Sequence, residues 1–240
     1  MSLMRAAVLG LCAFLSHAAV AQSTGTPTDP ITGKAALGYL ATSGNTDSES
    51  ANASFSIVYT RPDWKHSFNV SGVGASTEDR TTAESYLFGY EARRAFGEHH
   101  FLFTSLDWKR DRFSGYAEQV SQTVGYGRRF LDGERHLLDA GLGFGARQSE
   151  LRDGTEEDDR IVRGSVNYKW VMTETTDFEQ SLVIESGSTN TSTESRSALR
   201  ARIIGNIALV LSYRVKHNSS VPPGSENADR FSSVALEYAF

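Results

Sequence analysis

Ser233-Val234-Ala235-Leu236-Glu237-Tyr238-Ala239-Phe240 ends the sequence, and its reading decides the fold. Val234, Leu236, Tyr238 and Phe240 fall on one parity, while Ser233, Ala235, Glu237 and Ala239 fall on the other. Successive side chains of an extended strand point to opposite faces, so this octet is a strand with one apolar and one small or polar face. The same period recurs upstream. Ile207, Leu209, Leu211, Tyr213 and Val215 alternate with Ala208, Val210, Ser212, Arg214 and Lys216. Further examples are Phe55/Ile57/Tyr59, Tyr86/Phe88/Tyr90, Leu138/Ala140/Leu142/Phe144 and Val162/Gly164/Val166/Tyr168/Trp170. No comparable stretch carries the 3.6-residue period of an amphipathic helix, so the chain is all-β.

Twelve such segments can be drawn: 33–43, 48–60, 64–76, 81–95, 99–112, 117–130, 135–149, 157–171, 177–188, 192–204, 207–219 and 229–240. Each is long enough to supply the 9–11 or so residues that a tilted strand needs to cross a bilayer. A soluble sandwich also alternates, so the connections must decide. The even-numbered ones are tight: Arg61-Pro62-Asp63, Gly97-Glu98, Leu131-Asp132-Gly133, Thr173–Thr176 and Gly205-Asn206. The odd-numbered ones tend to be longer and more polar, as in Thr77–Arg80, Arg152–Glu156 and Ser220–Ala228. Short turns at one end and longer loops at the other are the build of outer-membrane barrels. Tyr59, Trp64, Phe96, Phe101, Phe130, Trp170 and Phe178 lie beside the tight turns, where a periplasmic aromatic girdle belongs. Trp108, Phe113 and Tyr116 supply a thinner girdle at the other end. The expectation is a closed antiparallel up-and-down transmembrane β-barrel of about twelve strands. Closure follows because hydrocarbon offers no partner to an unpaired backbone N–H or C=O.

Residues 1–21 read as a secretory signal, with Arg5 as n-region, Ala6–Leu15 as apolar core and Ala19-Val20-Ala21 as the cleavage site before Gln22. Residues 22–32 are a polar leader and 33–240 the barrel. The only cysteine, Cys12, lies in the signal, so neither disulfides nor thiol chemistry is expected beyond it. The net charge of −5 argues against a nucleic-acid partner. The expected location is the bacterial outer membrane, with its lipid and lipopolysaccharide as partners. The terminal Phe240 is expected to be read by the barrel-assembly machinery, and the oligomeric state is left open.

Several short motifs carry a family likeness. They are Gly38-Tyr39 followed by Thr42-Ser43-Gly44-Asn45-Thr46-Asp47, the stretch Asp111-Arg112-Phe113-Ser114-Gly115-Tyr116, Gly125-Tyr126-Gly127, Pro222-Pro223-Gly224 with Asp229, and the final Tyr238-Ala239-Phe240. In order and spacing, over about residues 33–240, the chain resembles the salt-induced outer membrane proteins, the YdiY-like barrels of unknown function. The resemblance implies an outer-membrane β-barrel and brings no substrate or catalytic residue.

With the apolar parity facing lipid, the other faces a lumen. The candidate lumen-lining residues are Arg93, Asp107, Lys109, Arg129, Arg147, Arg163, Lys169, Glu179, Arg200, Arg202, Arg214, Lys216 and Glu237, joined by Glu91, Asp111 and Glu185. Cations outnumber acids in this set. Two readings stand: a narrow pore whose cationic wall favours anionic solutes, and a structural barrel plugged by cross-lumen ion pairs. Gly141, Gly143 and Gly145 on the inward parity leave local room or allow curvature. The acidic loop Asp153, Glu156, Glu157, Asp158 and Asp159 offers carboxylate oxygens to a divalent ion, although a solvated loop tip is the simpler reading. His66, His99, His100 and His136 are read as solvated rim residues. No metal centre or cofactor is expected. No Gly-x-Ser-x-Gly elbow occurs, so the chain is read as non-enzymatic. The alternative is an outer-membrane lipid or peptide hydrolase using outer-loop acids Asp111, Asp158 and Asp159.

Overall fold

The computed structural model describes residues 30–42, 48–77, 80–112, 116–221 and 226–240. The expected signal and most of the expected leader lie outside the described residues, as do Phe113, expected in the outer girdle, and the Pro222-Pro223-Gly224 motif. Twelve strands run β1 Ile31–Thr42, β2 Ser48–Thr60, β3 Trp64–Thr77, β4 Arg80–Phe96, β5 His100–Asp111, β6 Tyr116–Asp132, β7 His136–Leu151, β8 Glu156–Val171, β9 Thr176–Ser186, β10 Thr191–Ile204, β11 Ile207–Asn218 and β12 Ala228–Ala239. Each pairs antiparallel with its sequence neighbours, and β1 pairs with β12 to close the ring. That last seam is short, from Lys34↔Ala239 to Leu37↔Leu236. It is reinforced by reciprocal bonds between Gly33 and Phe240, N to O, at 2.7 and 2.9 Å.

The faces are inverted relative to a water-soluble protein. Leu142 and Phe144 are 65% and 69% exposed, and Leu236, Tyr213, Phe55 and Val162 also lie open on the outside. The buried set is instead rich in Ser, Thr, Asn, Asp, Glu and Arg. A continuous exposed apolar belt of this extent is tolerated only where hydrocarbon replaces water. Among the described residues no helix is long and apolar enough to cross a membrane.

Sorting of the connections by length is weaker than the sequence suggests. Residues 78–79 alone join β3 to β4, and only 219–227 form a long loop. Polar residues that read as loop, such as Arg80, Glu150 and Glu156, continue the ladders instead. Past the apolar belt a hairpin can keep pairing in water until a turn is forced. At the other end Gly97 (φ 68°) and Gly205 (φ 53°) hold the left-handed conformation that their tight turns require.

Candidate functional site

Because the side-chain period is two, the ladder fixes which charges face inward. From β4 to β10 they brace one another across the lumen. Arg163 on β8 donates to Asp107 of β5 at 2.8 Å and to Glu185 of β9 at 2.5 Å, and Ser121 of β6 donates to Glu185 at 3.1 Å. Lys109 of β5 reaches Glu194 on β10 at 3.0 Å, five strands away. Nearer the tight turns, Arg93 and Arg129 share Asp139 at 3.0 and 2.8 Å, and Arg93 also holds Glu91. Lys169 sits 3.3 Å from Glu179 and 3.9 Å from Asp177. Arg200 joins Asp177 at 3.4 Å to Glu237 at 2.6 Å, and Lys34 approaches Glu237 at 3.9 Å. Arg202 donates to the Glu174 carbonyl beside a tight turn.

The loop end carries a fully buried lock. Arg147 Nη2 donates to Asp159 at 3.0 Å and to the Asn190 carbonyl at 2.6 Å. Asp159 accepts from the Ser188 hydroxyl at 2.6 Å, from the Ser188 and Thr189 amides at 3.2 Å, and from the Thr189 hydroxyl. The β9–β10 connection is thereby drawn against β7 and β8. Asn190 continues to Asn218 at 3.1 Å, and the Tyr116 hydroxyl donates to the Ser220 carbonyl at 3.2 Å.

The remaining wall differs. Around β12, β1, β2 and β3 the inward positions are mainly small, including Ser233, Ala235, Ala36, Asn52, Ser54, Ser56, Ser67, Asn69 and Ser71. Ser54, Lys65, Asn69 and, on β10, Arg196 are solvent-exposed although they point inward. By contrast Ser105, Gln119, Ser121 and Thr123 on β5 and β6 are buried. The lumen is eccentric, packed on one side and open on the other. A cleft of about 370 Å³ at the tight-turn mouth is lined by Thr32, Lys34, Ser56, Val58 and Arg200 on the inner face.

The family described as a protein of unknown function, DUF481, matches residues 35–240. The chain belongs to it. The uncharacterized protein YdiY of Escherichia coli (strain K12) is 31% identical over 211 residues, which cover 88% of this chain and 83% of YdiY. Among solved structures, the NanC porin has a TM-score of 0.49 at 10% identity, covering 86% of this chain and 97% of its own. An outer membrane channel from Pseudomonas putida F1 has 0.49 at 10%, covering 93% and 99%, and the KdgM porin 0.46 at 9%, covering 87% and 99%.

Several expectations for this DUF481 protein need correction. The acidic residues 153–159 do not form one loop. Asp153 lies in the β7–β8 connection, where hydrogen bonds from Thr155, including its amide at 2.9 Å, hold the carboxyl below the usual range. Glu156 to Asp159 belong to β8, where Glu157 and Asp159 face in and Asp158 faces out. Asp159 is committed to Arg147 and the Ser188–Thr189 turn. Among the described residues no three His, Cys, Asp or Glu side chains gather as a metal site. Asp111, Asp158 and Asp159, named for a hydrolase, likewise do not converge. The cationic excess nearly vanishes, because Asp139, Glu157, Asp159, Asp177, Glu194 and Asp229 also face inward.

Two girdle assignments change as well. Tyr116 is buried at the mouth rather than facing lipid. Phe101 points inward, with the Arg93 guanidinium 4.7 Å from its ring. It and Phe103 fill a recess made by glycines on β6 and β7. A Cβ at Gly125 or Gly143 would stand 2.5 or 3.1 Å from Phe103 Cζ, so the glycine space is occupied rather than empty. The histidines are not loosely solvated: His66, His100 and His136 stack among outward aromatics.

Proposed function

We propose that this protein is a narrow diffusion channel of the bacterial outer membrane, non-enzymatic, admitting small hydrophilic solutes with a preference for anions. The observation that carries this reading is the exposure of Ser54, Lys65, Asn69 and Arg196 on the inward face. An inward side chain can be exposed only if solvent enters the lumen beside it. Both exposed charges in that group are cationic, and neither has a carboxylate within 4 Å among the described residues. Arg214, with no carboxylate partner among the described residues, adds a third such cation, held 4.6 Å from the Phe231 ring. Fixed positive charge beside a narrow water path lowers the barrier to anions and raises it for cations. The braced half, with its charges consumed in pairs, serves as the rigid support. Phospholipid and lipopolysaccharide surround the apolar belt in this reading, and Phe240 is the residue offered to the assembly machinery.

A structural barrel without transport is the second reading, favoured by the Arg147–Asp159–Asn190 lock at the loop end. Planar-bilayer recording separates the two. The channel reading expects discrete conductance steps, and a reversal potential in a potassium chloride gradient displaced toward that of chloride. Arg196→Gln with Arg214→Gln should move it back toward zero. Folded, inserted protein that passes no current would establish the structural barrel instead.

A further inference from the structure

One geometry is repeated three times on the outward face at the tight-turn end. His66 lies opposite Ala92, His100 opposite Arg128, and His136 opposite Trp170. In each case a tyrosine two residues before that partner brings its hydroxyl to the imidazole Nδ1. The distances are 3.0 Å for Tyr90, 2.5 Å for Tyr126 and 2.9 Å for Tyr168. Each imidazole is also stacked on a second aromatic, Trp64, Phe96 or Trp170, at 5.6 to 5.9 Å. Residues merely solvated at a rim have no reason to share one diagonal register on three strand pairs.

The chemistry of the unit is directional. Where the tyrosine hydroxyl donates to Nδ1, the imidazole proton lies on Nε2 and the ring presents one N–H donor. Two guanidiniums stand at the same level. Arg94, opposite Trp64, lies 5.7 Å from that ring, and Arg128, opposite His100, lies 5.6 Å from Phe130. A cleft of about 330 Å³ between the first two units is lined by Pro62, Asp63, Arg94, Phe96 and Leu102. The acids nearby sit on or beside the turns: Asp63 at the cleft, Glu98 beside His99, Asp132 at the end of β6 held by Arg129, and Glu134 two residues before His136. On the rest of the circumference Phe178, Ile203, Ile207 and Tyr238 occupy this level with no outward histidine among the described residues, while Arg61, on the turn before β3, lies 5.2 Å from the Tyr59 ring at the collar's edge.

We infer that the collar over β3 to β8 is a binding site for the phosphodiester headgroup of an anionic glycerophospholipid in the periplasmic leaflet. Donor nitrogens and guanidiniums match phosphate oxygens. The rings beneath them match the upper acyl chains, since amphipathic aromatics sit at the headgroup level. The inference rests on the membrane placement proposed above but not on conductance.

The test reconstitutes the full chain in nanodiscs of mixed phosphatidylethanolamine and phosphatidylglycerol, and counts retained lipids by native mass spectrometry. Wild type should retain phosphatidylglycerol beyond its share of the mixture. The variant His66→Phe/His100→Phe/His136→Phe, which keeps the stacking, should lose roughly tenfold of that enrichment. Arg94→Gln/Arg128→Gln alters only exposed side chains and should lose a comparable part, so the test stands even if the histidine variant does not fold. Heat-modifiable electrophoretic mobility reports folding. Equal retention of both lipids by wild type, or enrichment unchanged in the arginine variant, overturns the inference. Enrichment without current would remove the channel and leave the lipid site; failure to insert into the discs would remove both.

Discussion

The lumen has two halves built on one backbone plan, and they behave as different materials. From β4 to β10 long charged side chains reach across to one another, and Ser105, Ser121 and Thr123 are sealed beneath them. From β12 through β3 the inward positions hold serine, asparagine, alanine and glycine, and solvent reaches Ser54 and Asn69. Both are built by the same antiparallel pairing, so the openness of a small barrel is decided by side-chain length at alternate positions. The halves also divide the work. Paired charges crossing strands three to five apart resist deformation of the ring, while unpaired cations at the edge of the open half are free to meet a solute.

The sharpest contrast in stability should come from the desolvated lock. Arg147 and Asp159 side chains are 2% and 3% exposed, and Arg147 Nε and Nη1 are buried without a partner. Arg147→Met removes the one cation paired with this buried carboxylate among the described residues, and the expected loss is about 3–5 kcal/mol. Adding Asp159→Leu should recover only part of it, since the Ser188 and Thr189 amides and the Asn190 carbonyl lose their partners when both charges go. Arg196→Met, at the solvent-reached edge of the braced half on β10, should change stability by less than about 0.5 kcal/mol. Urea unfolding in lipid vesicles, followed by tryptophan fluorescence, measures all three. Equal losses at 147 and 196 would erase the distinction between sealed and solvent-reached wall.

A bulky probe placed on each side comes next in size. Ser121 is 6% exposed beneath Glu185, so Ser121→Trp overpacks and should cost about 1–3 kcal/mol in the same unfolding assay. Ser54→Trp meets solvent instead. It should leave stability nearly unchanged and reduce single-channel conductance roughly twofold by narrowing the path. A Ser54→Trp variant with wild-type current would place the water path elsewhere.

Much of this arrangement was legible in the residues and some was not, for physical reasons. The strands of the last third read almost to their ends, because Ile207 to Lys216 and Ser233 to Phe240 alternate strictly and one register slip would turn every apolar group inward. Parity likewise placed Arg163, Lys109 and Glu237 on the inner wall. Phe101 was misread because His100-Phe101-Leu102-Phe103 is aromatic or apolar on both parities. The glycine recess that receives it lies on other strands, at Gly125, Gly127, Gly141 and Gly143. Glu156 to Asp159 has the composition of a loop, and only its ladder to Arg147 and Glu150 makes it strand. The partners were the least legible feature. Lys109 and Glu194 are 85 residues apart, and the histidine–tyrosine pairs are 24 to 32 apart on a diagonal that composition cannot show.

That Lys109–Glu194 pair provides the gentlest test, because it spans the lumen and bounds the braced half. Its side chains are 24% and 22% exposed, so water weakens the attraction that their 3.0 Å separation would otherwise give. A double-mutant cycle with Lys109→Gln and Glu194→Gln should return a coupling of about 0.5–1 kcal/mol. The coupling should shrink at 1 M salt, where the screening length falls to about 3 Å. The double variant also removes a strut, so its conductance should rise above wild type while its ion preference stays the same: one charge of each sign has gone. A coupling that is insensitive to salt would mean that the pair is shielded from lumen water, and the packing that seals Ser105, Ser121 and Thr123 would then continue across the lumen axis.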